Sequence, residues 1–111
     1  GEFVLPSAAT ISAAALGEIP GDTRCSITNS NASGAYPIST FTWMIIYKEQ
    51  NYSDRSKEQA QATLDLLKFI LSDEIQNITS EVHYAPLPAK AKDLSIKNLN
   101  SVTYNGATIL Q

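Results

Sequence analysis

His83 is the one histidine and Cys25 the one cysteine of this 111-residue chain, so a nucleophile and base couple of the Cys–His kind would have to join these two. No motif links them. Cys25 lies in Arg24-Cys25-Ser26-Ile27-Thr28, where a small half-buried thiol in a weak strand is the simpler reading, and His83 stands beside Tyr84 at a helix end, a place for a cap or a surface ring. A lone cysteine closes no internal disulfide and builds no multi-cysteine metal site. The acids Asp65, Asp73, Glu74 and Glu81 fall on helical stretches, where a solvated face explains them without a metal or a carboxylate pair. A small hydrolase using Cys25 and His83 is therefore the weakest reading. The sequence assigns no catalytic residue, no metal and no cofactor, and the expectation is that the chain is not an enzyme.

Binding chemistry is equally sparse. Asn29 to Gly34 could turn backbone N–H groups and hydroxyls toward an oxyanion, but it lacks the strand, glycine and lysine order of a phosphate-binding loop, and a plain connector explains it. Asn31-Ala32-Ser33, Asn51-Tyr52-Ser53 and Asn77-Ile78-Thr79 match the glycosylation sequon, which matters only in a eukaryotic secretory setting. The row Phe41, Trp43, Ile45 and Tyr47 could line a cleft, although core packing is the commoner use of such a row.

Composition narrows the field further. With 43% hydrophobic and 17% charged residues, the chain is apolar enough to bury a core, and its length suits one domain. The formal charge of −3, from 8 Lys+Arg against 11 Asp+Glu, provides no basic field for nucleic acid. The longest mostly apolar run, Phe41 to Tyr47, is far short of the roughly 20 residues of a membrane span. Gly1-Glu2-Phe3 is neither an initiator Met nor a charged leader, so the expectation is that a targeting signal is gone or that the chain begins inside a longer sequence.

The elements that would position these residues follow from local signals. Ser7 as N-cap, an Ala-rich run and Gly17 predict a short helix, too short to persist alone. Ile19-Pro20-Gly21-Asp22 is turn chemistry, and Cys25 and Ile27 share one side of a weak strand. Pro37 fixes its own φ near −65° and pushes Tyr36 toward extended geometry. The segment thus enters Phe41–Tyr47 already straightened, and that run, with little polar alternation, predicts a strand covered on both faces. Ala60, Leu64, Leu67, Leu71, Ile75, Ile78 and Val82 recur at helical spacing, and Ser72-Asp73-Glu74 predicts a kink or a second helix start within that stretch. Tyr84-Ala85-Pro86-Leu87-Pro88 stops the helix, and Pro88 opens a further helix to about Leu99. Val102 to Ile109 around Asn105-Gly106 predicts a hairpin with a type I′ turn.

Three segments in this order resemble the C-terminal part of the periplasmic phosphate-binding protein of bacterial ABC transporters, a type II periplasmic binding protein. They are Tyr36-Pro37-Ile38-Ser39 running into Phe41 to Gln50, then Leu64 to Ile70, then Tyr84-Ala85-Pro86-Leu87-Pro88. Phe3-Val4-Leu5-Pro6-Ser7 and Tyr104-Asn105-Gly106 fit the same pattern, so the resemblance covers nearly the whole chain. His83 departs from it, standing where a small or acidic residue is usual.

The resemblance implies an α/β fold: a partial periplasmic-binding-protein lobe with a crossing segment, a central strand and flanking helices. Residues 1–35 would end one lobe, and residues 36–111 would supply the crossing segment, the second-lobe strand, the helices and the C-terminal hairpin. Tyr36, Pro37 and Ile38 would form the hinge between lobes, since closure needs segments that absorb motion while the lobes stay rigid. The family's phosphate-holding groups come from segments preceding this region, and neither Arg24 nor Arg55 stands in a matching context, so no ligand-binding residue is assigned. The implied function is capture of inorganic phosphate for an ABC permease, in the periplasm or at the surface of a bacterial cell, and only together with an N-terminal portion. The unpaired strand predicts a complex with that portion, or a dimer with exchanged elements. A structural or protein-interaction domain of the same fold, without transport, is the alternative.

Overall fold

The computed structural model describes residues 2–110. It contains helices and a small two-stranded sheet, a mixed α/β arrangement. Helix α1 (Ala8–Ala14) starts where Ser7 predicts: Ser7 Oγ accepts from the Thr10 amide at 3.2 Å, and Thr10 Oγ1 accepts from the Ser7 amide at 2.9 Å. It ends earlier than Gly17, with Ala15 as its C-cap at φ −92°, so no left-handed glycine is needed.

Helix α2 (Lys57–Ile70) opens on a second reciprocal cap, between Ser56 and Gln59. The chain then breaks where Ser72 predicts, and Ser72 caps α3 (Asp73–Ile78) with Asp73 and Glu74 in its first turn, near the positive end of the helix dipole. A 3₁₀ turn (Thr79–Val82) continues α3 and stops at His83, whose φ of 63° is left-handed. His83 is thus a helix cap, exposed at the surface. Helix α4 (Ala89–Asn100) follows, with Pro88 at the N-cap rather than inside the first turn. Strands β1 (Thr103–Tyr104) and β2 (Ala107–Thr108) pair antiparallel, with φ of 51° at Asn105 and 77° at Gly106, the left-handed pair that a type I′ turn requires.

The main core lies between α2, α4 and this hairpin: Ala60, Leu64, Leu99, Val102, Ile109 and Leu110 are buried, and Ile46, Leu67, Leu71 and Tyr104 pack against them. The helical stripe read from the sequence fades beyond Ile75, for Ile78 and Val82 are 49% and 64% exposed. A second, smaller cluster joins Ala14, Ala15 and Ile27, with Cys25, Ala35 and Phe41 at its margin. The radius of gyration is 16.1 Å, against about 13 Å for a compact domain of this length, so the molecule is elongated.

Two strand expectations fail. Arg24–Thr28 joins no ladder, although Cys25 and Ile27 do turn to one side and pack with α1. Phe41–Tyr47, expected as a central strand covered on both faces, forms no ladder either, and Met44, Ile45 and Tyr47 are 60%, 94% and 70% exposed. The cause is the supply of neighbours. A strand apolar on both faces needs partners on both edges, and the described residues contain one short hairpin beyond it. Pairing starts only at the far end, where Glu49 bridges Thr103 in parallel.

Candidate functional site

The segment from Tyr36 to Ser39 is built around Pro37. With the pyrrolidine ring fixing the backbone, the residues around it are pinned at short range: the Tyr36 amide donates to Thr10 O at 2.9 Å, the Asn29 amide to Pro37 O at 2.7 Å, and Ser39 Oγ to Tyr36 O at 2.7 Å. Thr28 Oγ1 closes the set on Ser39 O at 3.0 Å. Tyr36 and Pro37 are therefore fastened to α1 and to the Thr28–Asn29 turn, whereas Ile38 stands 76% exposed at the start of the free run.

Beyond Thr40 the run is held lightly. Trp43 Nε1 donates to Thr23 O at 3.1 Å, and the Phe41 and Trp43 rings meet edge to face with centroids 6.0 Å apart. These rings line a cavity of only about 50 Å³ with Ile19, Leu87 and Ala91, well below the roughly 300 Å³ at which small-ligand pockets begin. The row Phe41, Trp43, Ile45 and Tyr47 does not converge on one cleft: Phe41 turns toward the small core, Ile45 toward solvent, and Tyr47 stacks edge-on against Tyr52 at 4.9 Å.

At its far end the segment docks firmly. The Thr103 amide donates to Lys48 O and the Gln50 amide to Thr103 O, both at 2.8 Å, and the Gln50 side chain is buried, with Nε2 donating to Tyr47 O at 2.6 Å. Between them the Glu49 carboxylate accepts from the amides of Asn51, Asn105 and Gly106 and from the Thr103 hydroxyl. Those donors, the Asn51 amide foremost, hold its carboxyl down at about 2. Sequence reasoning gave Glu49 no role. The one available signal was the Asn105-Gly106 turn, whose amides need an acceptor, but the acceptor lies 56 residues away from Asn105.

A concavity of about 580 Å³, open to solvent, lies along Tyr52, Ser53, Asp54, Arg55, Gln59, Ala62 and Thr63. Arg55 directs its donors inward, to the Gln59 carbonyl at 3.1 Å, to Thr63 Oγ1 and to Tyr52 OH, and its guanidinium lies 5.7 Å from the Tyr52 ring centre. The remaining candidates stay apart. Cys25 is half-buried beside α1 and His83 caps the 3₁₀ turn, and among the described residues no hydrogen bond joins them. Asp65 accepts from Gln61 at 3.0 Å, Asp73 pairs with Lys92, and Glu74 and Glu81 are exposed. No cluster of three potential metal ligands occurs among the described residues. In the Asn29–Gly34 loop the Ala32 and Ala35 amides close local turns, on Ser30 Oγ and Ala32 O. No helix of the described residues is long and apolar enough to cross a membrane.

Over 91 residues the chain is 33% identical to the phosphate-binding protein PstS of Xylella fastidiosa, an alignment that takes in 79% of this chain and 24% of that protein. The chain thus spans about a quarter of the length of the relative it matches. No protein-family model matches it, and no solved structure does.

Proposed function

We propose that this chain is the C-terminal portion of a phosphate-type solute-binding protein of a bacterial ABC importer, exported to the periplasm or cell surface. The observation that carries this reading is the 33% identity, over 79% of the chain, to a protein named for binding phosphate. Residues 1–35 complete one lobe, residues 36–111 cross to and build the second, and Tyr36, Pro37 and Ile38 are the hinge. Inorganic phosphate is captured only with the N-terminal portion present and is handed to an ABC permease; the chain itself catalyses nothing.

The physical support is the run from Phe41 to Tyr47. Its apolar side chains and a backbone that joins no ladder suit a strand whose neighbours come from elsewhere. The N-terminal portion supplies them in the whole protein, and a second copy with exchanged elements supplies them when this chain is alone.

Calorimetry with inorganic phosphate tests the reading. The isolated chain is expected to show no tight binding, and the chain extended N-terminally to full length is expected to bind. Tight binding by the isolated chain would overturn the absence of a ligand site here, and a full-length protein indifferent to phosphate would overturn the importer role. In that second outcome, a pull-down that recovers a protein partner through the exposed apolar run would favour an interaction domain of the same fold.

A further inference from the structure

The donors around Glu49 come from two places in the chain and meet on one carboxylate. Oε1 accepts from the amides of Asn51 at 3.0 Å and Asn105 at 2.9 Å; Oε2 accepts from the amide of Gly106 at 3.1 Å and from Thr103 Oγ1 at 2.8 Å. Each oxygen thus holds two donors at ordinary hydrogen-bond distances. The geometry is not made by Glu49. Successive left-handed residues at Asn105 and Gly106 aim two adjacent N–H groups to the same side of the turn, and the β1–β2 pairing fixes that turn independently. Backbone amides gathered in this way form a concavity for anions.

We propose that the hairpin turn Thr103–Gly106, together with the Asn51 amide, is an oxyanion cradle whose resident ligand is the chain's own Glu49 carboxylate, and that a small carboxylate from solution occupies it once that side chain is removed. The cradle fastens residues 48–50 to the β1–β2 hairpin, so its occupancy decides how firmly the run that precedes them is docked. Because Glu49 is tethered to the adjacent strand, its effective concentration is on the order of millimolar or above, and the intact protein excludes solution anions at ordinary concentrations. This inference does not rest on the importer reading, for the cradle is filled by the protein itself.

The test is chemical rescue. In ¹⁵N-labelled Glu49→Ala protein, the amide resonances of Asn51, Asn105 and Gly106 should move from their native positions, and Tm should fall. Formate should return all three resonances along one saturable curve and restore Tm, whereas sodium chloride at equal ionic strength should do neither. The unaltered protein should show no saturable response to formate. Should the alanine variant not fold, formate restoring its dispersed spectrum supports the cradle. Glu49→Gln keeps the side-chain volume but replaces one acceptor by a donor, so Tm should fall and the Gly106 amide should move most. The cradle is overturned if formate and chloride act alike on Glu49→Ala, or if Glu49→Gln keeps native amide positions and Tm.

Discussion

The two apolar clusters differ in what they are made of. Around α2, α4 and the hairpin, Leu64 is fully buried and Leu99, Val102, Ile109 and Leu110 nearly so, which gives branched side chains with many contacts each. Beside α1, the buried side chains are the methyls of Ala14 and Ala15 with Ile27 the one large group, and each alanine methyl contributes only about 0.8 kcal/mol. Helix α1 is seven residues long and too short to persist by itself. Its position depends on long-range hydrogen bonds: Tyr36 amide to Thr10 O, Ser12 Oγ to Pro86 O at 3.3 Å, and Asn98 Nδ2 from α4 to Gly21 O at 2.9 Å in the turn that follows α1. One region is organised by packing and the other by polar ties, so the two should respond differently to substitution.

The largest effect is expected at Leu64. Leu64→Ala leaves a cavity among groups that cannot close over it and should destabilise the chain by about 2–5 kcal/mol in urea unfolding. Ile27→Ala removes a similar volume from the small cluster, whose alanines and half-exposed margin relax more easily, and about 2 kcal/mol or less is expected. Equal losses at the two sites would abolish the distinction between the clusters.

Helix caps sharpen it. Ser56→Ala at α2 should cost about 1 kcal/mol of global stability, because α2 carries the main core. Ser7→Ala removes the same kind of cap from α1, but that loss should appear as faster amide hydrogen exchange within α1 while the global midpoint barely moves. A full global cost at Ser7 would mean that both regions unfold as one unit.

Acid acts on the junction between residues 48–50 and the hairpin of the main core. The Glu49 carboxyl is lowered from an ordinary 4.5 to about 2 by the donors that surround it, so between those values the unfolded chain binds a proton that the folded chain does not. The stabilisation is present in full above about pH 4.5 and is lost as pH falls toward about 2. Asp22, lowered by its bond to Arg24, and Glu58, lowered at the first turn of α2, act in the same direction. The Glu49 share is therefore the difference between the parent and Glu49→Gln in melts from pH 7 to pH 2: the two curves should converge as pH falls.

What the sequence disclosed divides along the same line as local and distant physics. Ser7, Ser56 and Ser72 announce helix starts because a cap is settled within three residues, and Asn105-Gly106 announces its turn because left-handed backbone is a property of those two residues. Phe41–Tyr47 misled because an apolar composition suits burial on both faces, whereas pairing is a property of neighbours, and the described residues offer one short hairpin. Glu49 was silent for a related reason: four donors define its role, and those on the hairpin lie 54 to 57 residues downstream.

The smallest effect on the isolated chain is expected at the residue that looks most out of place. Ile45 is 94% exposed and touches neither cluster, so Ile45→Thr, which keeps the β-branch and removes apolar surface, should change the stability of the monomeric chain by no more than about 0.5 kcal/mol. Its effect should instead appear in assembly. If the run from Phe41 to Tyr47 is an unpaired strand, sedimentation of the parent chain at micromolar concentration should show association that Ile45→Thr weakens, because apolar surface on a free edge drives strand addition between chains. A parent chain that stays monomeric, or a variant that loses several kcal/mol on its own, would place Ile45 in a role that neither cluster explains and would remove the reason to seek the run's partner outside this chain.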